Sequence, residues 1–321
     1  MKDKKILVTG GCGYVGIHIC SALLKKGYEV VATDRSADIY NEKKEGYTFR
    51  QLIGTDKTKF ADLFKEHNFS GVIHAASSVD NDIEGAITKY EIDTSHLWDS
   101  YIFRFATLSG VKHMLLLSTT QVYKPAATRE PLREDDDVKP VTNYGKLKHK
   151  SEDACIGAFQ KAASTATAIM RIPPVYSRDY CENLKAKITD PKDNSNFIYR
   201  SGDYGFAMCN LYNLMDFIVC YLKIADSINY SGVYNIADRG LVQASDIVKF
   251  CQANSSVGPV IQRSEIADGA KSFLNMKLGK DKDLLENYRY LDFKSLLANH
   301  GYEVSKAGKI CPLKWNIDNS K

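Results

Sequence analysis

Short β-branched and aliphatic runs alternate with stretches of helical periodicity through the first half of the chain. This alternation predicts a parallel sheet covered on both faces by helices. Strands are expected at residues 4–9, 29–34, 47–53, 71–75, 114–117 and 166–171. Between them, Asp56 is placed to cap a helix through Phe60, Leu63 and Phe64, and longer helices are expected over about 85–109 and from Pro140 and Thr142 to about 163. Past Pro173-Pro174 the alternation fails, and the polar, irregular stretch 179–196 reads as a substrate-side lobe or loop. A helix over 211–224 and a strand over 232–236 return to the main sheet, while helices over 244–253 and 291–299 belong to a small C-terminal lobe. The fold class is therefore α/β, a doubly wound parallel sheet with a smaller C-terminal substrate lobe. The main domain spans 1–174 with 206–238 returning to it, and the lobe takes 175–205 and 239–321.

The first strand feeds Gly10-Gly11-Cys12-Gly13-Tyr14-Val15-Gly16, then an amphipathic helix, then a second strand ending at Asp34. Strand, glycine turn and helix in this order form the backbone cradle of a dinucleotide pyrophosphate. Glycines permit the tight turn and close approach of N–H groups, and the helix N-terminus presents positive dipole to the anion. Asp34 follows at the distance at which a carboxylate takes ribose hydroxyls. The domain over 1–174 is thus expected to be a Rossmann-type nucleotide-binding domain.

Composition narrows the partners. A hydrophobic content of 44% supports a sizeable core. The net charge of +4 is spread along the chain rather than gathered into a stripe, which argues against nucleic acid. No apolar run approaches a membrane span, and the first residues lack the apolar stretch of a signal peptide, so a soluble, cytoplasmic chain is expected. The eight cysteines are scattered without Cys-x-x-Cys or histidine pairs, so buried thiols are expected rather than a zinc site or disulfide framework. The acidic run Glu134-Asp135-Asp136-Asp137 reads as a solvated loop.

Tyr144 and Lys148 lie four apart on a predicted helix and so share a face. A neighbouring ammonium favours phenolate and lowers a tyrosine pKa from about 10, which makes the phenol a general acid/base for an alcohol or carbonyl. The spacing alone is weak, because Tyr40/Lys44, Tyr290/Lys294 and Tyr302/Lys306 share it. Only the Tyr144 pair opens a helix just after a strand of the nucleotide sheet. The strand before it runs into Ser118-Thr119-Thr120-Gln121-Val122-Tyr123, whose hydroxyls are placed to donate to a substrate oxygen; an ordinary strand-exit turn of small residues gives the same pattern.

Gly10–Gly16, Asp34, His74-Ala75-Ala76, 118–123, 144–148 and 171–176 occur in the order and spacing of the extended short-chain dehydrogenase/reductases. They resemble most the NAD-dependent epimerase/dehydratase branch acting on nucleotide sugars, well over about residues 4–177, with Val233-Tyr234-Asn235-Ile236-Ala237 resembling a later strand. The resemblance implies Thr119, Tyr144 and Lys148 as the catalytic set, with Lys148 also holding the nicotinamide ribose. It implies a cofactor site of Gly10, Gly13, Tyr14, Val15, Gly16, Asp34, Arg35, Ile53, Ala75, Ala76 and Pro173 beside Tyr144 and Lys148. Asp34 favours NAD, and Arg35 leaves NADP open. Ser77, Thr120, Gln121, Tyr176 and Arg200 are the implied substrate contacts, no metal is implied, and a homodimer through the helices near 85–109 and 141–163 is.

Departures from the family narrow the reaction. The 4,6-dehydratases carry Asp and Glu where Thr120 and Gln121 stand, and neither of these titrates near neutral pH, which argues against elimination. Ile53 replaces an aspartate that touches adenine. Pro174 stands where an asparagine contacts substrate, Ser177 where a glycine stands, and Asn210-Leu211-Tyr212-Asn213 where a His-Val-Asp-Asp-like motif lies. No paired-arginine diphosphate clamp is evident; Arg200, Lys185, Lys187 and Lys192 are candidates, or simply solvated charges. The leading expectation is a nucleotide-sugar epimerase with tightly held NAD. A simple NAD(P)-dependent ketone reductase or alcohol dehydrogenase is the alternative, and a catalytically silent NAD-binding protein the third.

Overall fold

The structure is a computed structural model describing residues 4–38, 44–53, 55–77, 88–124, 130–160, 162, 164–190, 193–224, 227–255, 257–264 and 300–320. Along the chain run β1 (Lys5–Thr9), α1 (Tyr14–Lys25), β2 (Glu29–Asp34), β3 (Tyr47–Gln51), α2 (Lys57–Glu66) and β4 (Gly71–His74). Then come α3 (Lys89–Leu108), β5 (His113–Thr119), α4 (Asn143–Phe159) and β6 (Ala166–Ile172). Shorter pieces follow: β7 (Val175–Tyr176), α5 (Glu182–Lys185), β8 (Asn196–Tyr199), β9 (Gly205–Phe206) and β10 (Cys209–Asn210). The chain continues with α6 (Leu211–Tyr221), β11 (Gly232–Asn235), β12 (Val242–Gln243), α7 (Ala244–Asn254), β13 (Val260–Arg263) and α8 (Ser305–Gly308). The helix expected over 291–299, and Tyr40, Lys192, Tyr290 and Lys294, lie outside the described residues.

Two units divide the chain. The first holds Met1–Thr119, Lys146–Arg171 and Met215–Tyr234; the second holds Thr120–Gly145, Ile172–Leu214 and Asn235–Lys321.

The first unit is built on the seven-stranded sheet, in the order β11-β6-β5-β4-β1-β2-β3. The pairs β1–β2, β1–β4, β2–β3 and β4–β5 are parallel, with Leu7 opposite Val31 on one side and Val72 on the other. Ile6, Leu7 and Val8 are buried in succession, as a strand covered on both faces requires. Leu7, Phe60, Leu63, Ile102, Phe103, Met114, Phe159 and Ile169 share one core cluster. Helix starts are set by local chemistry. Asp56 Oδ1 accepts from Thr58 N at 2.9 Å at the head of α2. At the head of α3 a capping box joins Thr88 and Glu91, which puts the first turn later than the expected residue 85. Strand order reverses between β1 and β4, so the carboxyl ends of these two strands open the crevice where doubly wound sheets take ligands.

The second unit is held by three two-stranded pairings: β7 with β10 and β8 with β13 parallel, and β9 with β12 antiparallel. Its core gathers Tyr176, Leu184, Ile188, Met208, Val242, Ile247, Cys251 and Ile317. The expected main domain over 1–174 is divided: residues 120–145 group with this unit, where Tyr123 bridges Val138 and Leu132 bridges Tyr302. The acidic run is not simply solvated. Glu134 Oε1 accepts from Asn235 N at 2.9 Å, and Asp136 Oδ2 from Arg133 N at 2.7 Å. Asn213 anchors the C-terminal stretch, accepting from Trp315 N at 2.9 Å and donating to Trp315 O at 2.8 Å.

Candidate active site

In the first unit the glycine turn has no room for side chains. A Cβ on Gly16 would fall 1.9 Å from Gly10 O, one on Gly10 2.8 Å from Ala76 N, and one on Gly11 2.8 Å from the Ala32 side chain. Gly10 also sits at φ +71, which glycine alone adopts without strain. Gly13 is the N-cap of α1, and no side chain closes that helix terminus, nor does an acidic residue stand in its first turn. A narrow backbone cradle facing an uncapped helix N-terminus fits a dinucleotide pyrophosphate. Asp34, half-buried at the end of β2, braces the turn by accepting from Cys12 N at 2.9 Å and Ser36 N at 3.0 Å. Arg35 and Ile53 are exposed nearby in sequence to the β2 and β3 ends, Ile53 by 60%. At the end of β4, Ala75, Ala76 and Ser77 are partly exposed, and Ser77 Oγ is a buried atom with no hydrogen-bond partner among the described residues.

Thr119 closes β5 and is buried. Lys148 is 4% exposed and its Nζ donates to Leu117 O at 3.1 Å. Burial lowers its pKa, and the carboxylates of Asp99 and then Glu152 oppose that shift. Around it lies a polar cluster not anticipated from the sequence. Glu152 is held by Arg171 through Nε to Oε1 at 3.1 Å and Nη2 to Oε2 at 2.8 Å, and takes the Ser118 hydroxyl at 2.5 Å. Asp99 meets His74 Nε2 at 2.8 Å and Ser151 Oγ at 2.5 Å. The readable signal was the spacing: Ser151 and Glu152 fall three and four residues after Lys148, on its helix face.

In the second unit, Thr120 is buried and Gln121 half-buried. The Thr142 hydroxyl bonds Gln121 Oε1 at 2.8 Å and accepts from Gly145 N at 3.0 Å, so it caps the first turn of α4. Gly145 is required there, since a Cβ would lie 2.4 Å from Gln121 O. Tyr144, half-buried on that turn, has its pKa raised to about 12 by burial. This corrects the expected lowering: desolvation of the phenolate disfavours its charged form and raises the pKa. Pro173 is buried. Tyr176, expected on the substrate side, is fully buried, and its hydroxyl donates to Asp238 Oδ2 at 2.6 Å, so it packs the core. Arg200 is exposed at φ +50, with its carbonyl taking Gln262 Nε2 at 2.6 Å. Of the other Tyr–Lys pairs, Tyr302 stacks on Tyr123 at 5.8 Å between centroids.

Residues 6–237 match the family model described as the NAD dependent epimerase/dehydratase family. Among curated proteins, the UDP-glucose 4-epimerase of Bacillus subtilis (strain 168) is 32% identical over 154 residues, covering 44% of this chain and 44% of that protein. The UDP-glucose 4-epimerase of Mus musculus is 29% identical over 167 residues, 47% of each. The chain thus spans about half the length of the curated relatives it matches. Among solved structures, UDP-glucuronic acid 4-epimerase from Bacillus cereus in complex with NAD superposes with a TM-score of 0.70 at 17% identity, over 98% of this chain and 95% of that one. MoeE5 in complex with UDP-glucuronic acid and NAD gives 0.66 at 18% identity, over 95% and 92%. These structures share the fold. By its glycine cradle, its strand order and a family match across most of its length, the chain belongs to the NAD dependent epimerase/dehydratase family.

Proposed function

We propose that the chain is an NAD-dependent nucleotide-sugar epimerase. The observation that carries this reading is a sequence that keeps Thr119, Tyr144 and Lys148 together with the uncharged Thr120 and Gln121, in a family that includes UDP-glucose 4-epimerases similar to this chain. When bound, NAD supplies reversible hydride transfer. The turn at 10–16 holds its pyrophosphate, Asp34 its adenosine ribose, and exposed Ile53 an apolar face of adenine. Ala75, Ala76 and Pro173 border it, and Lys148 holds the second ribose. Tyr144 Oη takes the proton of the reacting hydroxyl and returns it to the carbonyl oxygen of the rotated keto sugar, while Thr119 Oγ1 donates to the same oxygen as it gains charge. Burial keeps the Tyr144 phenol protonated at neutral pH, the form that returns a proton to a carbonyl oxygen. Ser77, Thr120, Gln121 and Arg200 are the proposed sugar-side contacts.

The same reading carries a homodimer through α3 and α4 and a cytoplasmic location. Among the described residues, no helix is long and apolar enough to cross a membrane. Mass spectrometry of small molecules released from the native protein tests the reading, together with NMR of UDP-glucose and UDP-glucuronic acid incubated with it. Bound NAD and conversion to the 4-epimer without net NADH formation are expected; failure to epimerise any nucleotide sugar overturns the reading. A simple NAD(P)-dependent ketone or alcohol oxidoreductase is the second reading, favoured by Pro174 at the asparagine place and by the burial of Tyr176. Net NADH turnover would select it.

A further inference from the structure

We propose that Glu152 is a positioning residue for the reaction: it holds the carboxyl end of β5, and with it Thr119, in register with Lys148 on α4. This rests on the reading of Thr119 and Lys148 as catalytic side chains. Lys148 and Glu152 are four residues apart on α4, about one turn, and so project from one face. That face grips two consecutive residues of β5. Lys148 Nζ donates to Leu117 O at 3.1 Å, and the Ser118 hydroxyl donates to Glu152 Oε1 at 2.5 Å. Thr119, the last residue of β5, comes next. Side chains alternate across a strand, so fixing the side chain of residue 118 also fixes the direction in which residue 119 leaves the sheet.

Glu152 also reaches the neighbouring strand. Arg171 of β6 donates through Nε to Oε1 at 3.1 Å and through Nη2 to Oε2 at 2.8 Å. A two-pronged guanidinium sets the plane of a carboxylate as well as its place, so the fork from β6 aims Oε1 at Ser118. Ser118 and Arg171 each stand next to the last residue of their strands, and β5 and β6 lie side by side in the sheet. One carboxylate therefore ties both strands to α4 at the edge where doubly wound sheets take ligands. Ser118, Lys148, Glu152 and Arg171 are each at most 5% exposed. A buried ion pair is a poor source of stability, because apolar side chains of like volume often serve as well or better. What this pair supplies is an acceptor of fixed direction for Ser118, which an apolar contact lacks.

The test compares Ser118→Ala with the double variant Glu152→Met/Arg171→Met. The first removes the hydroxyl and keeps the ion pair. The second removes both charges together, so that neither is left buried alone, and is expected to melt near the unaltered chain. Each is expected to lower kcat by about tenfold or more with KM little changed, because the reacting groups lose their alignment while the binding surfaces stay. Each should also lower the order parameter of the Thr119 methyl group in threonine-labelled protein, its NMR signal assigned with Thr119→Val. Unchanged kcat in either folded variant overturns the proposal and leaves the pair as packing alone. Should the double variant fail to fold, Ser118→Ala decides, since it leaves Glu152 and Arg171 in place. Absence of epimerase activity in the unaltered chain would remove the proposed function. The Thr119 order parameter in the variants, lowered or unchanged, then decides for or against Glu152.

Discussion

Two residues whose pKa burial raises give pH dependence of different kinds, one of turnover and one of stability. Tyr144 is protonated at neutral pH because burial raises it to about 12, so the phenolate fraction grows tenfold with each pH unit below that value. Turnover is expected to rise with pH through the neutral range, and Tyr144→Phe to abolish it while leaving NAD affinity nearly unchanged by calorimetry. Full turnover in that variant would remove Tyr144 from the acid/base role. Asp238 acts on stability instead. Burial raises its pKa from 3.8 to about 6, only partly offset by donors from Asn210 N, Tyr176 and Asn213. Between these two values the unfolded chain gives up the proton while the folded one keeps it. Stability is therefore lost as pH rises through the window, with a full cost of about 3 kcal/mol above it. Urea unfolding at both ends of the window should show a smaller decline for Asp238→Asn than for the unaltered chain. Parallel declines would sink the assignment.

At the scale of elements, what could be read was whatever has a local cause. Glycines 10–16, the buried run Ile6-Leu7-Val8 and the Asp56 cap each obey nearest-neighbour rules, and the sheet follows from them. The start of α3 was equally legible, since Thr88-x-x-Glu91 is a capping box in the sequence, yet helical periodicity pulled the expected boundary back to 85. What resisted reading depends on residues far apart in sequence. Asp99 and Lys148 are brought into one cluster only by packing of α3 and α4 on the sheet, and Tyr176 becomes core because Asp238 lies 62 positions later. Gly145 joins both kinds of cause. Its absence of a side chain lets the first turn of α4 lie against Gln121 O, and Tyr144 rides on that turn. Gly145→Ala must shift the turn by a Cβ's width. It is expected to cut kcat more than tenfold with KM and NAD affinity little changed, because a misplacement of about 1 Å at the reacting group costs about 10²-fold. Unaltered kcat would show that the turn yields without moving the phenol.

For the whole molecule the open matter is what covers α3. Tyr90, Leu97 and Leu108 are 73%, 40% and 70% exposed, at intervals of about two and three helical turns, so they line one stripe about 27 Å long. Ile156 on α4 is a further apolar residue, 45% exposed. Scattered apolar side chains on a surface are ordinary, and a stripe along one helix is where the homodimer proposed above would seat its partner helix. A two-fold interface uses the same patch on both copies, so a residue near the middle of the stripe meets its own kind or a near neighbour. Leu97 is that middle position. Leu97→Glu would place a carboxylate from each copy in the centre of the contact, unpaired and desolvated, a far larger penalty than the loss of one leucine. Sedimentation velocity should find the unaltered chain as a dimer and Leu97→Glu as a monomer of unchanged melting behaviour at the level of its NAD cradle, which lies on β1 and α1 and owes nothing to this stripe. A monomeric unaltered chain would remove the homodimer from the proposed function while leaving the epimerase reading to its own test.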